Sequence, residues 1–81
     1  MNWRYEVSQS LIDKMDQLRL NRETRVLVLN KVKSLSRMES PLSQGGQTPF
    51  GWGYRVASNA ILIARIDDGQ KICLFTTMMI Y

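Results

Sequence analysis

The residues able to do chemistry in this chain are cations and aromatics. From Arg19 to Arg37 there are six basic residues and one acid, Glu23. Placed at 100° per residue, Arg22, Arg25, Lys33 and Arg37 gather on one arc of a helix. Such an arc can lie along nucleic-acid phosphates or meet an acidic protein patch. A second group is Trp52, Tyr54 and Arg55, two alternating aromatics beside a cation. Exposed, such rings stack unpaired bases; buried, they are ordinary strand packing. No motif for reading base edges accompanies either group.

Much other chemistry is excluded. The chain has no histidine, and Cys73 is its only cysteine. That removes Ser/His/Asp and Cys/His triads, ordinary zinc sites and any internal disulfide. Cys73 sits in an apolar run and reads as an inert core thiol. Gly45-Gly46 and Gly51-Trp52-Gly53 lack the following helix and the lysine of a phosphate-binding loop. No metal and no cofactor are therefore expected. Cutting RNA would need a base, an acid and cations around the charged phosphorane. Without histidine, a lysine or tyrosine of lowered pKa would have to be the base.

A formal net charge of +4, a pI of about 9.6 and an apolar fraction of 44% describe a basic chain able to fold. Its 81 residues suit one core, so a single domain over residues 1–81 is expected. The charge favours a polyanion or an acidic protein as partner. No run approaches the roughly eighteen apolar residues that span a bilayer. Met1 to Glu6 lack the charged start and apolar run of a signal peptide. A cytoplasmic protein without membrane contact is expected.

The elements that position these residues follow from periodicity. Trp3, Tyr5 and Val7 alternate with polar residues as a half-buried strand. Ser8 or Ser10 caps a helix whose apolar side is Leu11, Ile12, Met15 and Leu18. Asn21 caps a second helix, running to about Arg37, with Leu27, Val28, Val32 and Leu35 inward. Lys31 falls toward that apolar side, and Val26 and Leu29 fall among the basic residues. Met38 to Gly51, rich in Ser, Pro, Gln and Gly, reads as one exposed loop, long enough to be functional. Trp52, Tyr54 and Val56 begin a meander. Ser58-Asn59 turns it into a continuous apolar strand, Ala60 to Ile66, expected to be covered on both sides. Asp68-Gly69 turns it again into a last strand, Lys71 to Tyr81. Left at a sheet edge, that strand invites pairing with another chain, including a homodimer. The expected fold is α+β: a short N-terminal strand and a two-helix hairpin on a twisted, mainly antiparallel sheet, ordered β-α-α-β-β-β.

This order resembles the RelE/ParE toxin superfamily of toxin–antitoxin systems. The likeness rests on Trp3-Arg4-Tyr5-Glu6-Val7, then two helices, then Gly53-Tyr54-Arg55-Val56 and Arg65-Ile66-Asp67-Asp68-Gly69-Gln70-Lys71-Ile72. It implies either cleavage of messenger RNA on the ribosome, as a metal-independent endoribonuclease, or inhibition of DNA gyrase, with an antitoxin as second partner. By the resemblance, Arg55 takes the place of a sheet arginine that contacts phosphate, and Tyr81 that of a late catalytic tyrosine. The position of a further arginine holds Ala60 or Ile61, and Phe75 to Met79 contain neither Arg nor His. The residues thus favour binding over catalysis. Two other readings stand beside the toxin: a non-catalytic mobile-element or phage-type inhibitor of a host protein or nucleoprotein complex, and an RNA-binding module.

Overall fold

The computed structural model describes residues 3–81; Met1 and Asn2, where the stretch read for a signal peptide begins, lie outside them. The chain is α+β. Strand β1 (Arg4–Val7) leads to helices α1 (Gln9–Gln17) and α2 (Arg22–Ser36), followed by β2 (Gly46–Thr48), β3 (Gly51–Ala57), β4 (Ala60–Asp67) and β5 (Ile72–Ile80). The sheet has five strands in the order β1-β5-β4-β3-β2. Every pairing is antiparallel except that of β1 with β5, whose connection runs through both helices.

Both helices begin at polar caps. The Ser8 hydroxyl accepts the Leu11 amide at 3.3 Å, and the Asn21 side chain accepts the Thr24 amide at 2.8 Å. Ser10, the other cap candidate, instead donates to the Thr76 carbonyl at 2.7 Å, where β5 carries an unpaired extra residue against β4. These bonds fasten α1 to β5. Leu11, Met15, Val28 and Leu35 descend from the helices onto Tyr54, Ala60, Leu62, Ala64, Cys73, Phe75 and Met78, all on one side of the sheet. That layer is the core.

Three expectations about the sheet are corrected. The last strand is not at an edge: β5 lies between β1 and β4, and only its stretch beyond Phe75 passes the end of β1. A strand-paired dimer through β5 therefore loses most of its template, since a filled ladder has no free backbone groups to offer. Second, β4 is helix-covered on one side only. On the other, Ile63 is buried by its sheet neighbours: Cβ atoms added at Gly51 and Gly53 would come within 3.2 and 3.6 Å of its side chain. Third, Asp68-Gly69 does not make a two-residue turn. The connection spans Asp68 to Lys71, and the left-handed residue is Lys71, at φ 58°, whose ammonium binds Asp68 at 2.8 Å. On the helices, Ile12 and Leu27, expected inward, are exposed. No described helix is long and apolar enough to cross a membrane.

Candidate functional site

Side chains alternate across a strand, so one face of the sheet meets the helices and the other does not. Register assigns the uncovered face. Across it run Arg55, Ile61 and Met79; Gly46, Gly53, Ile63 and Thr77; Arg65, Leu74 and Glu6; and Asp67, Ile72 and Arg4. Its centre is apolar and its ends are charged. Arg4 and Glu6 sit 3.5 Å apart, an exposed pair of small worth, and Arg65 has Glu6 and Asp67 beside it in a shallow hollow.

Arg55 stands differently. It is exposed at the hairpin end, and its guanidinium donates one hydrogen bond, to the Ser58 carbonyl at 3.2 Å. Beside it lies a hollow of about 270 Å³ lined by Gly45, Gly46, Gln47, Thr48, Gly53 and Ile61. Gly46 borders open space on this side; a Cβ there would meet nothing within 4 Å. No carboxylate lines it.

The segment read as one loop builds this wall. It contains a 3-10 turn (Pro41–Ser43) and strand β2 paired with β3. Three bonds hold it. The Tyr54 hydroxyl donates to the Pro41 carbonyl at 2.6 Å, the Trp52 indole donates to the Gln44 carbonyl at 2.7 Å, and the Thr48 hydroxyl donates to the Gly51 carbonyl at 2.7 Å. Gly45 must take φ 79° with no Cβ, because one would lie against the Gly53 carbonyl. Sequence reasoning missed β2 because Gly46-Gln47-Thr48 has no apolar alternation.

Of the two readings of these rings, the structure shows strand packing and not a stacking platform. Tyr54 is buried against Phe75, and Trp52 is half-buried with its indole engaged, both on the helix side, whereas Arg55 points the other way. A period of two requires this: residues 52 and 54 share a face that 55 cannot. Tyr81, by contrast, follows β5 directly and lies at the hairpin end of the sheet where Arg55 stands, its amide donating to the Asn59 carbonyl at 2.9 Å.

The helical arc also divides. Arg25 turns inward, donating to the carbonyls of Leu20 at 3.0 Å and Met15 at 3.4 Å and to Asp16 at 2.9 Å. It fastens α2 to the end of α1. On the wheel it sits next to Val32, on the flank facing α1, which is why charge type alone misplaced it. Arg22, Lys33 and Arg37 remain exposed, and their side chains make no ion pair or hydrogen bond among the described residues.

Shifted pKa values lie elsewhere. Burial raises Tyr54, Tyr5 and Cys73, the last to about 11, all on the helix side of the sheet. A general base needs a shift in the opposite direction, on the uncovered face. Among the described residues no cluster of His, Cys, Asp and Glu is arranged to hold a metal ion. Chemically, the arrangement offers an arginine at a hollow, an apolar floor and a separate cationic helix. No protein-family model matches the chain, and no curated protein matches it significantly.

Proposed function

We propose that this chain is a small basic inhibitor of RelE/ParE-like layout that acts by occupying a macromolecular target through the uncovered face of its sheet. One observation carries the reading: Arg55 stands exposed beside a hollow with no carboxylate, at the end of an apolar floor that neither helix covers. An apolar floor with a cation at its rim suits a partner that buries both, and aromatic or acidic groups of a protein or nucleoprotein surface do so. The ribosome and DNA gyrase are the target classes that the family likeness suggests.

The test is capture from host lysate by the tagged chain, with and without nuclease, compared with Arg55→Glu. Capture of one complex that survives nuclease and is lost in the variant supports inhibition by binding. Capture that nuclease abolishes points to the RNA-binding module. Equal capture by both proteins removes Arg55 from the interface. Growth arrest on expression alone, relieved by a neighbouring reading frame, separates a toxin from a phage-type inhibitor.

Endoribonuclease activity is the second reading, favoured by the placement of Arg55 and Tyr81 at one end of the sheet. It requires cleaved RNA with 2′,3′-cyclic phosphate ends and their loss in Tyr81→Phe. Intact messenger RNA after incubation of the wild-type chain with translating ribosomes would end it.

A further inference from the structure

The outer side of α2 is not a plain solvated face. Arg22, Val26, Leu29, Lys33 and Arg37 follow one another at intervals of four, three, four and four residues, which sets them in one stripe along the helix. Val26 and Leu29 are 45% and 49% exposed, in the middle of the stripe. The three cations occupy its ends. The fold does not need either apolar side chain, because Val28 and Leu35 already fill the inward side. Either side chain alone would be ordinary on a helix surface; what distinguishes this stripe is that the two stand together, framed by free cations. Valine is also a weaker helix former than the lysine or glutamate that would serve there.

We infer that this stripe is a docking surface for an acidic amphipathic helix, with apolar residues at its centre and carboxylates toward both ends. Charge complementarity selects that occupant. A second copy of the chain would set three cations against three cations at close range, in a protein already at +4. A phosphate backbone would satisfy the cations but lie against Val26 and Leu29, which offer it nothing. A lipid surface needs a broader apolar face than two branched side chains, and the inward side of α2 is committed to the core. A helix laid along α2 instead places its own apolar residues on Val26 and Leu29 and its carboxylates on Arg22, Lys33 and Arg37. From Arg22 to Arg37 the stripe is about 22 Å long at 1.5 Å per residue, so four to five turns of partner cover it. Contact of that size belongs to the weak, exchangeable class of interface. The stripe lies on the far side of the molecule from Arg55, so the proposal does not rest on the function assigned to the sheet.

The probe is a synthetic stapled peptide of about seventeen residues, two leucines three apart at its centre and glutamates toward both ends, read by fluorescence anisotropy on the full chain. Binding in the range of about 1–50 µM at low salt is expected, weakened about tenfold by Lys33→Glu and about tenfold by Leu29→Ser. Both positions are exposed, and far-ultraviolet circular dichroism checks that each variant keeps its fold. A peptide with glutamine for glutamate should bind about tenfold more weakly. Absence of binding at about 200 µM overturns the proposal. So does binding indifferent to Leu29→Ser, or a labelled single-stranded oligonucleotide or phosphatidylserine vesicles bound as tightly as the peptide.

Discussion

Arg25 and Lys33 carry the same charge on the same helix, eight residues apart, yet only the first has intramolecular partners: two carbonyls of the α1 end and Asp16. Truncating Arg25 to alanine leaves the Leu20 carbonyl without its donor, while the Met15 carbonyl keeps the Leu20 amide at 3.3 Å, so a loss of about 1–2 kcal/mol is expected in urea unfolding. Most of it comes from the Leu20 carbonyl, since the Asp16 pair is solvent-facing. Lys33→Ala should stay within about 0.5 kcal/mol of the parent. If the two variants unfold alike, Arg25 is a surface residue after all. A second residue-scale expectation concerns alkali. The Cys73 thiol is held neutral by burial, its pKa raised from 9.0 to about 11, and Tyr54 and Tyr5 are raised with it for the same reason. Groups raised in the folded state favour folding while they stay protonated. Their contribution is whole below the unfolded thiol's pKa and falls as pH climbs from about 9 toward 11, because the unfolded chain releases protons that the folded chain retains. The urea midpoint should therefore be flat from pH 7 to 8.5 and lower at pH 10.5. In Cys73→Ala the alkaline fall should shrink; an unchanged fall would assign it to the tyrosines alone.

Among the elements, those made by local pattern were readable and those made by distant pairing were not. The β1 strand, both helices and their caps follow from periodicity and from Ser8 and Asn21, whose roles depend on neighbours three residues away. The place of β5 inside the sheet depends on β1, more than sixty residues earlier, and no local pattern reports that. Strand β2 was illegible for a different reason. Its glycine and polar residues carry no face, and it is held by Tyr54, Trp52 and Thr48 instead of by burial of its own side chains. Arg55 was therefore legible as a candidate while the hollow beside it was not. The attachment is testable. Tyr54→Phe removes the bond to the Pro41 carbonyl and leaves that oxygen unpaired in a buried place, at a cost of about 1–2 kcal/mol. The 38–51 segment should then be cut by protease well before the rest of the chain. Gly53→Ala should loosen the same wall, since its Cβ would lie 2.9 Å from the Thr48 methyl and 3.0 Å from Ile61. Protection from cleavage equal to the parent in both variants would mean that β2 is held by something other than these contacts.

At the scale of the whole molecule, the two surfaces lie on opposite sides of one sheet. Layers pack about 10 Å apart and a helix with its side chains is about 10–12 Å across. The α2 stripe and Arg55 are then separated by on the order of 20 Å, more than two screening lengths at physiological salt, which are about 8 Å each. Neither surface shares a side chain with the other, and the core between them is a packed layer from Leu11 and Val28 to Phe75 and Leu62. Energies at such separations add. Arg55→Glu should weaken target capture without changing affinity for the acidic helical peptide, and Lys33→Glu should do the reverse. In the double variant the two losses should sum to within about 0.3–0.5 kcal/mol. The sharper form of the prediction is a ternary complex: chain saturated with the peptide should still capture its target from lysate at the undiminished level. If the peptide instead displaces the target, the two partners compete for one surface or the core transmits a change between two. A variant set then decides which, because direct competition would be relieved by Leu29→Ser and would leave Arg55→Glu without effect.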